Sequence, residues 1–435
     1  MLSNPFTPSE IASEPNEFFG RSDEIHLLER ALQQGSVVIQ GPIGIGKSSL
    51  LSQIRLLMEG FSSIHKSISF VAVGNKDIST LDDAARLILE SFVSIDEKQN
   101  KVAFKLGNFC EFGSTEIITY FKEKRHLAIL KQLVQNEYIN MLLTDSEYLL
   151  IAIDEVDKCP VPIAQVIRNI VTHTQQMGVK RLRFIIAGVS PFFDEMVKED
   201  AGINRFFYKK ITLQQLSPND ALELVESKFR IIVEEANKIG ISLEIEEDLN
   251  NKIVQLSGGH PHLLQLLGSH VIERENSIPD NHINKTDLLD SLRKICYEER
   301  GTVYETILHL IDVYGMKEEF QELILSLPPK YPTLIKKEVL LEKFTPEQIH
   351  KLLYHNILSQ PFPHLYGLVD EFLRTRILFD SIETIEKIKE AENDIIMKLG
   401  KSDVLDIYQT SLINFEDYER SFEEDDYEDG DYNYY

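Results

Sequence analysis

The sequence predicts an α/β fold: a parallel sheet with helices on both faces, followed by an all-helical lid and a winged-helix domain. Three observations predict it. Short apolar runs alternate with amphipathic helical stretches over residues 36–213, the pattern of strands joined by crossover helices. After Leu213 the strand-like runs stop and helical periodicity continues alone. Further on, three helical stretches precede a segment with two prolines and a glycine, the sequence form of three helices and a hairpin. A chain of 435 residues is long enough for two or three domains, each with its own core.

Each element has a local reason. Residues 1–15 are polar and contain proline, and read as a strap or an arm without regular structure. Glu24, Leu27, Leu28, Ala31 and Leu32 set an apolar stripe on a first helix. SVVIQ (36–40) is a buried strand ending at Gly41, and 47–57 is the helix after it. SFVAV (69–73) is a second strand and 80–92 a helix. Residues 101–112 alternate in character and read as one arm of a hairpin. A helix over 125–138 precedes the third strand, YLLIAI (148–153). A helix over 163–176, with Gly178 beyond its end, leads to RFIIA (183–187), and KITL (210–213) is a short fifth strand. Ser217 and Pro218 then start a helix as N-cap and first-turn proline. Helices follow over 249–256, 263–273 and 287–296, then over 319–327, 337–344 and 346–353, with the hairpin at 359–367. The domains are read as a strap (1–15), an α/β core (16–214), a helical lid (215–280), a winged helix (281–380), an amphipathic helix (381–414) and an acidic disordered tail (415–435).

Composition excludes several classes. With 43% hydrophobic and 26% charged residues the chain is an ordinary globular one. No stretch approaches 18 uncharged apolar residues, so no membrane span is expected. The N-terminus lacks the basic and apolar regions of a secretory signal. Cys110, Cys159 and Cys296 are few, odd in number and far apart, which reads as reduced thiols of a cytoplasmic protein. The net charge is −25, and residues 416–435 carry ten acids against Arg420. An acidic body argues against broad nucleic-acid binding.

The strongest chemical signal is Gly41-Pro42-Ile43-Gly44-Ile45-Gly46-Lys47-Ser48, which fits G-x-x-x-x-G-K-[ST] between a strand and a helix. Glycines let the backbone curl so that several N–H groups converge on a phosphate, and the helix N-terminus adds positive charge. Lys47 is expected to reach the terminal phosphates of ATP, and Ser48 to offer its hydroxyl to Mg²⁺; Ser49 completes the loop. The run YLLIAIDE brings two carboxylates to the C-terminal end of a buried strand, the edge where α/β sheets bind ligands. Asp154 is expected to hold Mg²⁺ through water and Glu155 to orient the attacking water, with Asp157 an incidental acid. Ser190 sits either to sense the γ-phosphate or to cap the helix before Pro191. Arg205 reads either as an arginine finger entering a neighbour's site or as a surface salt bridge. The pair His260 and His262 opens a helix and lacks the further ligands of a metal site.

In order, Gly20-Arg21-Ser22-Asp23-Glu24, GPIGIGKS, IAIDEVD, Gly188-Val189-Ser190 and Gly259-His260-Pro261 resemble the STAND and origin-recognition branch of AAA+ ATPases. The resemblance spans residues 18–267. It implies that Gly20 and Arg21 lie beside the adenine, and that Pro261 packs near the base in the lid. The histidine that often precedes an aspartate in the winged helix of that branch is missing from Gly367-Leu368-Val369-Asp370. The expected function is an ATP-binding and hydrolysing switch whose nucleotide state controls self-assembly into a homo-oligomer and a partner protein, in defence or stress signalling among other contexts. The competing expectation is a DNA-binding loader or transposition-type regulator using Lys330, Lys336, Lys337, Lys343 and Lys351. Glu338, Glu342 and Glu347 interrupt that set, which reads better as a solvated face.

Overall fold

The computed structural model describes residues 2–12, 17–60, 67–74, 77–96, 101–104, 111–112, 119–120, 123–135, 139, 148–189, 191–327, 333–362 and 364–381. The chain divides into two compact units. One holds Glu10–Gln214 together with Lys351–Pro361; the other holds Met1–Ser9, Gln215–His350 and the chain from Phe362 on.

In chain order the first unit contains α1 (Ser22–Gln34), β1 (Ser36–Gln40), α2 (Lys47–Gly60), β2 (Ser67–Ala72), α3 (Leu81–Phe92), β3 (Val93–Asp96), β4 (Lys101–Phe104), β5 (Glu111–Phe112), α4 (His126–Leu133), β6 (Leu149–Asp154), α5 (Pro160–Gln176), β7 (Leu182–Gly188), α6 (Phe192–Glu199) and β8 (Phe207–Thr212). The main sheet has the order β2-β6-β7-β1-β8 with every pair parallel. Parallel strands need crossovers that cover both faces, so both sides of each central strand are apolar. Val37, Ile39, Leu150, Ala152, Ile185 and Ala187 pack with Leu28 and Leu32 of α1 and Leu50, Leu51 and Ile54 of α2. Their neighbours Val38, Ile151, Ile153, Phe184 and Ile186 point the other way, toward Ile88 of α3 and Ile163, Ile167 and Ile170 of α5. Thr80 and Asp83 form a reciprocal capping box at α3, and Pro160 fits the first turn of α5, where no N–H is required.

The second unit contains α7 (Pro218–Lys238), β9 (Glu244–Ile245), α8 (Leu249–Ser257), α9 (Pro261–Ser277), β10 (His282–Ile283), α10 (Lys285–Lys294), a π turn (Ile295–Glu299), α11 (Gly301–Val313), α12 (Lys317–Ser326), β11 (Leu334–Lys336) and α13 (Lys337–Lys343). α14 (Pro346–Tyr354) is divided between the units, β12 (Leu358–Phe362) lies in the first but for Phe362, and β13 (Leu365–Leu368) and α15 (Glu371–Asp380) belong to the second. β13 pairs antiparallel with β11, and these strands with their helices are consistent with a winged helix. Ser217 caps α7 through Asp220 N–H, with Pro218 at the first turn, as its sequence predicts. Asp370 caps α15 by accepting from Phe372 N–H at 2.9 Å, and also takes Arg300 Nη2 at 2.9 Å and the Tyr304 hydroxyl at 3.1 Å. Burial raises the Asp370 carboxyl above its ordinary range, and Arg300 opposes that rise. One carboxylate therefore fastens α11 to α15.

Residues 2–8 lie along α9. Leu2 N–H donates to Asn276 Oδ1 at 2.6 Å and Asn276 Nδ2 returns to Leu2 O at 3.0 Å. Asn4 Nδ2 reaches Ser269 Oγ at 2.8 Å, Thr7 N–H reaches Gln265 Oε1 at 3.1 Å, and His262 Nδ1 lies 2.9 Å from Pro8 O. Phe6 is buried edge-on against Phe229. It also fills the space above Gly268, where a β-carbon would come within 2.4 Å of its ring.

The structure departs from sequence expectation in several places. Residues 101–112 are not one arm: β4 and β5 are separate strands that pair with each other, and β4 pairs with the unforeseen β3. β8 begins at Phe207, three residues before the expected start, because its exposed Tyr208 and Lys209 hide the apolar pattern. The region after Leu213 is not helical alone, since β9 and β10 form a parallel pair. α11 and α15 were not foreseen: α11 exposes Val303 and Val313 and α15 has little amphipathic contrast, so neither shows a clear stripe. The helix read over 125–138 ends at Leu133, and the one read to residue 296 passes into the π turn. The amphipathic helix and acidic tail after Ser381 lie outside the described residues.

Phe6→Ala should destabilise the helical unit by about 3 kcal/mol, the usual cost of emptying a buried aromatic site. Gly268→Ala should also destabilise the native chain, but should be neutral or stabilising in the Phe6→Ala background, where the ring no longer blocks the new methyl. Chemical denaturation of the four proteins checks this; strictly additive costs would place Phe6 elsewhere.

Candidate nucleotide-binding site

β1 delivers the chain to Gly41 at the C-terminal edge of the sheet. Gly41 has no room for a side chain: a β-carbon would come to 3.0 Å from Leu213 O and 3.0 Å from Ile45 Cγ2. Gly44 and Gly46 take left-handed φ values of 77° and 98°, which curl the loop before α2 begins at Lys47. Ile43 stands exposed at the loop's tip and Ile45 is buried beneath it.

Lys47 Nζ donates to Gly41 O at 2.9 Å and Pro42 O at 2.7 Å. Burial lowers its pKa to about 8, with Asp154, Asp157 and Glu155 opposing the fall, so it remains a cation at neutral pH. Ser48 Oγ donates to Asp154 Oδ2 at 2.5 Å, and Asp154 Oδ1 accepts from Glu155 N–H at 2.9 Å. Asp154 is only 4% exposed, and burial raises its carboxyl while Ser48 and Lys47 hold it back. β1 and β6 are not neighbours in the sheet; β7 lies between them, so this contact passes over the end of β7. A hydroxyl and a carboxylate converging beside a buried ammonium suit a hard divalent cation and the phosphates it accompanies. These residues fit Mg²⁺.

Glu155 adopts a left-handed backbone, φ 58° and ψ 36°, which is uncommon for a residue with a side chain. Its Oε2 accepts from Gly74 N–H at 2.8 Å and its Oε1 pairs with Lys158 Nζ at 3.1 Å. Asp157 Oδ1 accepts from Val189 N–H at 2.8 Å. Ser190 lies outside the described residues. Arg205 is exposed, with its guanidinium carbon 5.1 Å from the Phe206 ring centroid.

Gly20 has φ 61° and turns the chain into α1. Arg21, 4% exposed, donates to Ile45 O at 3.1 Å and Gln214 O at 2.6 Å, and pairs with Glu24 at 2.7 Å. It therefore braces the phosphate loop from beneath. Ser49 Oγ accepts from Ala12 N–H at 3.2 Å, and Gln53 Nε2 donates to Ala12 O at 3.0 Å, so the N-terminal chain is pinned to α2. Pro261 belongs to the other unit, at the first turn of α9. Among the described residues no group of three or more His, Cys, Asp or Glu could hold a metal ion, and His262 is bonded to Pro8 O. No helix among them is long and apolar enough to cross a membrane. Cys159 and Cys296 are free and buried, their thiols pushed up to about 11 and about 12.

Sequence reasoning missed Gly74, Lys158, Ala12 and Gln53, and set Asp157 aside. Gly74 contributes a backbone N–H, for which no residue type is a signal. Lys158 stands three residues after Glu155, a spacing at which a helical turn brings two side chains together.

A five-stranded parallel sheet with a phosphate loop after β1 and an acidic strand end on β6 defines a P-loop NTPase of the AAA+ type. The profile of the family described as Novel STAND NTPase 1 matches residues 10–307, and the chain belongs to that family. No curated protein matches the sequence. Among solved structures, it is similar to a Walker-type ATPase of Pyrococcus abyssi, at 14% identity, with 85% of this chain and 98% of that one covered and a TM-score of 0.52. It also matches the Aeropyrum pernix ORC2 protein at 14% identity, with 90% and 98% covered and a TM-score of 0.46.

Arg21→Ala should cost about 2–4 kcal/mol, since it leaves two carbonyls without their charged donor. Thermal melting checks the size, and an unchanged melting temperature would mean the loop does not rest on Arg21.

Proposed function

We propose that the protein binds ATP with Mg²⁺ in the loop over residues 41–49 and hydrolyses it slowly, as a switch whose nucleotide state controls self-association and a partner protein. The observation that carries this reading is the Ser48–Asp154 contact beside a buried, still charged Lys47. Incoming phosphates replace the Gly41 and Pro42 carbonyls as partners of the ammonium, while the curled loop offers its N–H groups. Ser48 and Asp154 would hold Mg²⁺, which would supply positive charge to the phosphate oxygens. Glu155 orients water and takes its proton once its carboxylate exchanges Gly74 N–H and Lys158 for that water. In this reading Gly20 and Arg21 lie beside the base and Ser190 reads the terminal phosphate. Arg205, exposed beside the sheet's edge strand, enters a neighbouring copy's site. ATP shifts the assembly equilibrium by the difference in its affinity for the two states.

Lys47→Ala should abolish binding of a fluorescent ATP analogue, and equal affinities would sink the site. Glu155→Gln should bind ATP as the native protein does but release phosphate at least ~10²-fold more slowly, since the amide cannot accept the proton; native turnover in that variant would acquit Glu155. Light scattering with a slowly hydrolysed ATP analogue should show larger particles than with ADP. A monomer under every nucleotide condition would remove the assembly part of this reading.

A further inference from the structure

Asp157 lies on the short 3₁₀ turn Val156–Lys158 that follows β6, and none of the roles above uses it. Its Oδ1 accepts from Val189 N–H at 2.8 Å. The β1–β7 ladder ends at the pair Gln40 and Gly188, so Val189 is the first residue beyond the sheet, and a side chain from another strand's end supplies its acceptor. Phe192 N–H donates to Val189 O at 3.1 Å. Gly188 gives Asp157 the room to reach in. A β-carbon there would come to 2.9 Å from Asp157 Oδ1, 3.0 Å from Asp157 N and 2.9 Å from Phe192 Cδ1. The same acid contributes to holding Lys47 charged. One carboxylate thus bonds the first residue after β7 and adds to the negative charge that keeps Lys47 protonated.

We propose that Asp157 is a positioning residue that fixes Val189, the first residue beyond β7, from the β6 side, so that response to the terminal phosphate of a nucleoside triphosphate depends on the Asp157–Val189 bond. This rests on the nucleotide reading above. The bond needs an acceptor at Oδ1 and does not need its charge. An asparagine presents an amide oxygen in the same place, and an alanine presents nothing. Gly188→Ala attacks the same bond from the opposite side, because its methyl competes for the space of Oδ1.

The experiment uses the full chain as Asp157→Ala, Asp157→Asn and Gly188→Ala. ATP and ADP affinities are measured with Mg²⁺ by competition against a fluorescent nucleotide, alongside phosphate release and thermal melting. Asp157→Ala and Gly188→Ala should each lose about 10²-fold in kcat, the scale of a misplaced catalytic group. ADP affinity should stay within about threefold, a change of no more than ~0.7 kcal/mol, while the preference for ATP over ADP collapses toward one. Asp157→Asn should recover most of both. Native turnover and preference in Asp157→Ala would overturn the inference. So would equal losses for ATP and ADP, the mark of a purely structural role, or an Asp157→Asn variant as impaired as the alanine. If Asp157→Ala fails to fold, the asparagine and Gly188→Ala variants decide alone. If the native protein binds nucleotide but releases no phosphate, the hydrolysis reading fails and the ATP-to-ADP preference still decides the role of Asp157. If the native protein binds neither nucleotide, both readings fall.

Discussion

The ammonium of Lys47 must stay charged while it is buried. Removing a lone cation from water costs several kcal/mol, and the usual escape is to lose the proton. Here two loop carbonyls lie within hydrogen-bonding distance, and three carboxylates, all from the end of β6, keep the ammonium protonated to about pH 8. That requirement reaches into the topology. β6 is separated from β1 by β7, so the acids can serve Lys47 only across the end of an intervening strand. The intervening strand therefore has to end in a residue without a side chain, and it ends at Gly188. Gly41 meets the matching condition on β1, where Leu213 crosses close above it.

A loop curled by glycines has little stiffness of its own, because glycine gives up the most conformational freedom on ordering. The structure supplies stiffness from beneath. Arg21 ties Ile45 to Gln214, which joins the middle of the loop to the chain leaving the sheet after β8. An arginine suits this place because its fixed fork can hold two carbonyls and a carboxylate together, and because it cannot escape burial by losing a proton. Ala12 adds a clamp on the first turns of α2 through Ser49 and Gln53. The box around Gly20 thus has a mechanical role that is visible without any base in place.

The central strands of the parallel sheet were legible because they obey one rule: residues 36–40, 149–154 and 182–188 are largely apolar on both faces, which only a strand covered on both sides can afford. The phosphate loop and the acids of β6 were legible because spacing and context both constrain them. What escaped had physical reasons. Gly74 acts through its backbone, and Asp157 acts through geometry that exists only after three strand ends are brought together. β8 shows the exposed Tyr208, Lys209 and Lys210 of an edge strand, where charge discourages unwanted pairing and erases the apolar run. α11 gives no stripe, since Tyr304 is buried against a charged pair while Val303 and Val313 are exposed.

The N-terminal strap shows the same gap between pattern and structure, and also how to close it. Residues 2–8 have no sheet to satisfy their backbone groups, so side chains of a helix, and Asn4 for the Phe6 N–H, do it instead. The partners on α9 are His262, Gln265, Ser269 and Asn276, while Leu263, Leu264, Leu266, Leu267, Val271 and Ile272 between them are buried. Steps of three, four and seven residues return to one face of a helix, so the four polar side chains form a single line along it. The lengths agree. Fourteen helical residues rise about 21 Å at 1.5 Å each, and six extended ones cover about 20 Å at roughly 3.4 Å each. The strap therefore descends one rung per polar residue, from Pro8 opposite His262 to Leu2 opposite Asn276, with Phe6 locked over Gly268 between them. A line of polar side chains between buried leucines is what fastens a chain that shows no periodicity of its own.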